Sequence, residues 1–439
     1  MVAMSINGLL PDTKYFYAVE SAGVTDSSYD DIGSFTTFDT IPFSFRFCYG
    51  SCCYNSNHAV FDVMKNKNPD FFMNVGDLHY MDPNSTNISV HWVPYETQVL
   101  SKPRAADFFK KVPFVYTWDD HDFSGNNSDS TAIGKESAWQ AYRDYVPHYP
   151  LSAGDTGAIY QSFTIGRIHF ILTDIRSDRY GNSMLGSVQK QWFKYQCIYA
   201  RNNNLIIAWV NSVCWNGFNQ PDNWAVFPAE RAELGNFFRD SLITNMFILS
   251  GDAHMLAIDN GSHSDFATVI TNPYQYPIFQ AAAINHWGSI KGGAFSEGGV
   301  FPNPSIYYGQ FGFVTVTDTG GADVCIKFEG FRNDTLGNDT LINSYSFCRI
   351  PGAYLSVPET TQENLISVFP NPADDNICIS INSSGEASLF NSFGEKILSK
   401  RLETGKNKIN ISELADGFYF LQIKSMNQTI VKKIFVCKK

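Results

Sequence analysis

Hydrophobic and polar positions follow two rhythms along this chain, and the rhythm changes twice. Lys14 to Glu20 (KYFYAVE) alternates aromatic and polar residues, as a half-buried strand does, after a turn signal at Leu9-Leu10-Pro11-Asp12-Thr13. With a second short strand at Ser34–Phe38, residues 1–40 read as the tail of a β-sandwich. The next region reads as strand, then helix, repeated. Apolar runs at Phe43–Tyr49, Asp70–Val75, Val112–Thr117, His169–Leu172, Leu205–Val210 and Met246–Leu249 predict buried strands. Helical patterns fall at Val60–Lys67, Lys135–Tyr145 and Glu230–Asp240. That order argues an α/β domain over 41–350. Residues 351–366 (PGAYLSVPETTQENLI) read as a linker. In 367–439, short alternating segments at Ile377–Ile381, Glu386–Phe390, Lys406–Ile411, Gly417–Ile423 and Thr429–Val436 predict a small all-β module.

Each predicted strand of the α/β region runs into polar or charged residues. These are Gly50-Ser51-Cys52-Cys53, Gly76-Asp77, Trp118-Asp119-Asp120-His121-Asp122, Asp174, Asn211-Ser212 and Ser250-Gly251-Asp252. The carboxyl ends of strands are where α/β sheets form ligand sites. One loop turn can present both Asp77 and Tyr80 inward. Asp119, Asp120 and Asp122 crowd around His121, and carboxylates this close repel unless a cation is present.

Singly, each residue has a plainer reading. An Asp after a strand is usually a turn or cap residue, and Tyr80 alone a packed aromatic. Cys52 reads equally as a small buried hydrophobe or a disulfide partner. His254 alone is an ordinary strand histidine, and Arg176 a partner for Asp174 or Asp178. Together, GDxxY, DDHD and SGDxH supply hard donors and a carboxylate able to bridge two ions, as di-metal phosphoester hydrolysis requires. The candidate ligands are Cys52, Asp77, Tyr80, Asp120, Asp252 and His254. Asp119 is expected behind them, Trp118 and Trp215 as walls, and His58, His79 and His169 as structural or exposed.

These motifs resemble the calcineurin-like metallophosphoesterases, specifically the PhoD-type alkaline phosphatases. The matching pieces are Gly50-Ser51-Cys52, Gly76-Asp77-Leu78-His79-Tyr80, Trp118 to Asp122, Asp174-Ile175-Arg176 and Ser250 to His254. Gly8 to Tyr17 resembles the end of the β-sandwich that precedes the catalytic domain in that family. The resemblance implies a four-layer α/β/β/α sandwich that hydrolyses phosphate mono- or diesters by a metal-activated hydroxide. Asp77 would bridge two metal positions. Cys52, Tyr80 and His254 would bind Fe3+, and Asp120 and Asp252 the second ion, Ca2+ or another divalent cation. His121 would sit beside the scissile phosphate, with Asp174 and Arg176 at the rim and Arg176 on phosphate. Catalytic roles thus fall to His121, Asp77 and Arg176. Many relatives open with D-x-H where this chain has Gly-Ser-Cys, and place a His where Asn211 and Ser212 stand, which leaves the ligand set of the second ion incomplete.

The segment Val368-Phe369-Pro370-Asn371-Pro372-Ala373-Asp374-Asp375 resembles the opening of the C-terminal sorting domain of the type IX secretion system. Leu414 to Tyr419 and Lys432-Lys433-Ile434 match its later features. This implies export to the exterior or the cell surface, with the secretion machinery as partner.

Composition narrows the field. The net charge of −11 disfavours non-specific nucleic-acid or membrane binding. The expected substrates are small phosphorylated molecules such as nucleotide or lipid-derived esters, and the expected state is a monomer. No apolar run is long enough to cross a bilayer. Met1–Leu9 lacks the features of a signal peptide, so a truncated N-terminus is expected. Nine cysteines without a CxxC pair argue against a zinc knuckle and allow some disulfides. Two other classes stand beside the hydrolase: an inactive surface or adhesion protein retaining the fold, and a carbohydrate-active protein, which as a glycosidase would need two opposed carboxylates without metals.

Overall fold

The computed structural model describes residues 4, 6–25, 32–218, 222–351, 366–371, 373–381, 383–391, 395–425 and 428–438. The linker expected over 351–366 lies outside them except at its two ends, as does Pro372 of the C-terminal motif. The chain divides into two compact units, Met1–Tyr354 and Leu355–Lys439.

Two sheets build the first unit. One has six strands in the order Asp339–Arg349, Val324–Asn333, Gly309–Thr317, Phe45–Gly50, Phe71–Val75, Phe114–Thr117. The other has seven, in the order Glu297–Pro302, Met255–Asp259, Ile278–Ala281, Met246–Ser250, Ile206–Asn211, Ile168–Leu172, Gln161–Ile165. The predicted strands pair parallel with one another in each sheet, and one further parallel strand, Ile278–Ala281, lies outside the predicted set.

The layers follow from the two-residue pleat. Phe47 and Tyr49 face a core shared with Phe170, Leu172, Ala208, Val210, Phe247 and Leu249 of the other sheet. Cys48 and Phe72 point the other way, onto Val60, Phe61 and Met64 of helix Val60–Asn66 and Phe108 of helix Pro103–Lys111. Likewise Ile171, Ile207 and Trp209 meet Phe193 and Cys197 of helix Gly186–Asn202 and Leu234 and Phe238 of helix Pro228–Asp240. The result is helix, sheet, sheet, helix. Each large apolar side chain buried this way contributes about 1.5–3 kcal/mol.

The strand–helix alternation expected to run to 350 stops near 250. From Met255 to Arg349 the chain is strands and loops, ending in long antiparallel pairs. Antiparallel neighbours need only a turn, whereas parallel strands need a crossover, usually a helix. A disulfide joins Cys325 to its register partner Cys348 on the last pair. Near the start, Lys14–Tyr17 pairs antiparallel with Gly33–Thr36, and the Tyr17 hydroxyl donates to the Lys110 carbonyl at 3.1 Å.

The second unit is all-β. Ile366–Phe369, Asn376–Ile381 and Gly405–Asn410 form one sheet, and Lys396–Leu402, Gly385–Phe390, Gly417–Ser425 and Gln428–Val436 the other. Ile377, Ile379, Leu389, Leu421 and Ile423 fill its core. Lys396–Leu402 escaped the pattern reading because only its last residue is buried.

Candidate metal centre

The parallel strands of both sheets deliver their carboxyl ends to one place. The Cys52 amide donates to the Gly76 carbonyl at 3.1 Å and that of Cys53 to Asp77 at 2.7 Å. The Asp252 amide donates to Ser51 Oγ at 3.2 Å, tying the two sheets' loops together. Glycine precedes both aspartates for steric reasons. A Cβ on Gly76 would lie 2.5 Å from Asp119 Cβ, at a φ of +106°. One on Gly251 would lie 2.6 Å from Ser51 Oγ and 2.7 Å from the Val75 carbonyl.

Cys52, Asp77, Asp252 and His254 all adopt left-handed backbone, with φ of 62°, 52°, 59° and 36°. Asp tolerates this region better than most residues, and strain of this kind concentrates at functional sites. It turns side chains that would continue a sheet's pleat into a shared space.

Asp77 stands at the middle of that space. Its donor atoms group with those of Cys52 and His254 on one side and of Asp120 and His121 on the other, all within 4.8 Å in each group. The Tyr80 hydroxyl donates to Asp77 Oδ2 at 2.9 Å and lies 3.2 Å from His254 Nε2. Cys52 Sγ lies 3.6 Å from the same Asp77 oxygen. His254 Nδ1 is 2.6 Å from the Trp287 carbonyl. A carbonyl only accepts, so Nδ1 carries the proton and Nε2 presents its lone pair to Tyr80 and Asp77.

Asp120 is anchored by two backbone amides, His121 to Oδ1 at 2.9 Å and Asn127 to Oδ2 at 2.6 Å. His121 Nδ1 lies 2.6 Å from Asp82 Oδ1, and the His121 ring packs on Tyr80 with centroids 4.3 Å apart. Asp122 accepts from the Asp119 and His79 amides, each at 3.1 Å. Asp252 belongs to neither donor group; its Oδ1 accepts from Lys291 Nζ at 3.0 Å.

Arg176 and Asp174, expected at the rim, are instead fully buried. Arg176 Nε donates to Asp119 Oδ1 at 2.6 Å, and its two terminal nitrogens donate to the Asp222 carboxylate at 2.9 and 2.7 Å. Asp174 accepts from Trp118 Nε1 at 2.8 Å and from the Ser177 hydroxyl. Two carboxylates from distant segments draw the guanidinium inward. Trp118 and Trp215 are buried packing residues. Asn211 donates to the Val213 carbonyl at 2.6 Å.

The donor set fits bound cations. Among the described residues, Asp77 Oδ1, Asn211 Oδ1 and Ser212 Oγ are buried without a hydrogen-bond partner, and buried polar atoms are rarely left so. Burial raises Asp77 well above the carboxylate range, and Asp120 and Asp119 beside it raise it further. Burial also pushes up the Cys52 thiol and the Tyr80 hydroxyl, with Asp77 adding to both. Burial lowers His254 to about 3, which keeps its imidazole neutral, as a ligand must be. A cation would reverse this cost by favouring the ionised forms of Asp77, Cys52 and Tyr80 and the neutral form of His254. Residues capable of holding one are Cys52, Asp77, Tyr80 and His254 on one side and Asp77, Asp120 and His121 on the other, with Asp252 adjacent.

Asp82, Asp222, Trp287 and Lys291 were not read from the sequence. They sit in loops, without a motif or a preceding strand. Asp82 is the one with a signal, lying two residues past Tyr80 in the same loop.

A family model described as PhoD-like phosphatase matches residues 47–279. One described as a secretion system C-terminal sorting domain matches 367–437. Alkaline phosphatase D of Bacillus subtilis (strain 168) is 23% identical over 329 residues, 60% of this chain and 55% of that protein, so the chain spans about half the length of that relative. A solved structure of PhoD superimposes with a TM-score of 0.55 at 17% identity, covering 76% of this chain and 78% of the other. Purple acid phosphatase PPD1 from yellow lupin (Lupinus luteus) seeds gives 0.50 at 11%, covering 77% and 60%. Both share the mixed α/β fold.

Proposed function

Because the chain belongs to the PhoD-like phosphatase family, we propose that it is an exported, metal-dependent hydrolase of phosphate esters. The observation that carries this reading is the position of Asp77, a buried carboxylate shared by two donor groups. What a cation pair supplies when bound is Lewis-acid charge and a water acidic enough to ionise near neutral pH. The chain supplies the rest. Cys52, Tyr80 and His254 offer a thiolate, a phenolate and a neutral imidazole, a set suited to ferric iron. Asp120 and Asp252 offer the oxygen donors that suit calcium.

His121 serves as proton donor to the leaving oxygen. With Nδ1 held by Asp82, its Nε2 is the nitrogen available to the substrate. The loops that bury the centre limit water around the reacting atoms. The sorting domain supports export to the cell surface or exterior, and no helix among the described residues is long and apolar enough to cross a membrane.

A paired assay on aryl mono- and bis-phosphates, with and without added iron and calcium, tests the reading. Metal-dependent release from either ester supports it and sets the monoester or diester preference. Metal-replete protein that cleaves neither would sink it.

A further inference from the structure

Phosphate esters bring negative charge into a site whose own side chains are mostly acidic, so some group must donate hydrogen bonds to the phosphoryl oxygens. Arg176 does not serve. All three of its guanidinium nitrogens are committed to Asp119 and Asp222, and its side chain is 0% exposed. Lys291 is placed differently. Among the described residues it is the Lys or Arg ion-paired with a candidate ligand, Asp252, at 3.0 Å. Its side chain stays 40% exposed where that of Asp252 is 12% exposed, so the ammonium lies between the buried carboxylate and solvent.

An ammonium has three hydrogens. One is committed to Asp252 Oδ1, which leaves two to be directed at an incoming group. The backbone that carries Lys291 is held close on its C-terminal side. A Cβ on Gly292 would lie 3.0 Å from Cys214 Sγ, and one on Gly293 would collide with the Asn216 carbonyl. Gly293 also forms a β-bridge with Gly217. On the other side, Trp287 of the same loop holds His254 through its carbonyl. The stem therefore starts from a fixed point beside the candidate ligands, and only the flexible four-carbon chain adjusts.

We propose that Lys291 binds the phosphoryl oxygen of the substrate, in place of Arg176. The assignment rests on the phosphoesterase reading for its substrate class, a phosphate mono- or diester or free phosphate. A cation at Asp252 and an ammonium on phosphate are compatible, because Lys291 directs at phosphate the two hydrogens that Asp252 does not take.

The test uses the full, metal-loaded chain, its Lys291→Met and Lys291→Arg variants, and inorganic phosphate as the probe. Calorimetry gives phosphate affinity, elemental analysis gives metal content, and steady-state kinetics gives KM for an aryl phosphate ester. Lys291→Met is expected to weaken phosphate binding and raise KM by about 10–100-fold, the range for a hydrogen bond to a charged group. Its metal content should match the parent, and Lys291→Arg should recover most of the affinity. Unchanged phosphate affinity in Lys291→Met overturns the assignment. So does metal content falling in step with affinity, which would make Lys291 only a support for Asp252. A parent that binds phosphate through Lys291 yet cleaves no ester supports the assignment while contradicting the hydrolase reading.

Discussion

His121 Nδ1 lies 2.6 Å from Asp82 Oδ1. A carboxylate accepts and does not donate, so Asp82 holds the Nδ1 hydrogen, and the proton given to the leaving oxygen comes from Nε2, the ring nitrogen this contact leaves free, with Tyr80 packed on the ring. Asp82 touches no substrate in this account. It is a positioning residue whose effect passes through His121.

Asp82→Asn should therefore lower kcat by about 10–100-fold, the usual cost of losing a group that orients a functional histidine. KM and metal content should stay near those of the parent. In His121→Asn the Asp82 substitution should add almost nothing, since both act on one step. A full additional loss in the double variant would contradict the pairing.

Arg176 has a structural charge to carry. Removing it leaves Asp119 buried without its cation, while Asp222 keeps Arg179. Arg176→Met should cost about 3–5 kcal/mol of stability, read from urea unfolding. Adding Asp119→Asn to that variant should return part of the loss by removing the stranded carboxylate. Stability close to the parent in Arg176→Met, with a new effect on phosphate affinity, would place Arg176 at the substrate after all.

The acidic centre also predicts a pH dependence. In the metal-free protein, burial raises Asp77 well above its ordinary range and Asp122 to about 7. Folded carboxyls with raised pKa hold protons that the unfolded chain has released. That contribution is present below the unfolded carboxylate pKa of about 3.9; for Asp122 it is lost as pH rises through about 7, and for Asp77 as pH rises through its own raised value. A cation held by Asp77 must displace its proton, so metal affinity rises with pH. The gap in Tm between metal-loaded and chelated protein should widen from about pH 5 to about pH 8. A gap that narrows over that range would contradict the shared-carboxylate centre.

The parallel half of the fold was readable because its strands are apolar on both faces and run into Gly-Asp, Asp-Asp-His or Ser-Gly-Asp. The strands from Met255 to Arg349 were not: most pair antiparallel and need no intervening helix, and the parallel Ile278–Ala281 is only four residues long. Cys52, Asp77, Tyr80, Asp120, His121 and His254 were legible as motif members, and the structure brings them together. Which way a side chain turns was not legible. Arg176 follows Asp174 by two residues, which places it near the centre, yet its direction is set by Asp119 and Asp222 from elsewhere in the chain. Asp82 and Lys291 earn their positions only through contacts made across the fold.

The disulfide gives a separate handle on the antiparallel region. Cys325 and Cys348 are opposite each other in register and 23 residues apart in sequence. Replacing both with Ser should lower stability by about 2–4 kcal/mol by denaturant unfolding, with kcat unchanged because the bond lies on the outer strand pair.

Asp77 is the residue on which the whole centre turns. The most direct measurement is elemental metal content together with phosphate-ester turnover in the parent and in Asp77→Asn, purified side by side. Asn keeps the shape and removes the charge that bridges the two donor groups. The expected result is about two ions per parent chain, loss of most of that metal in the variant, and a fall in kcat of at least about a hundredfold with the fold intact. Parent-like metal content and turnover in Asp77→Asn would contradict it.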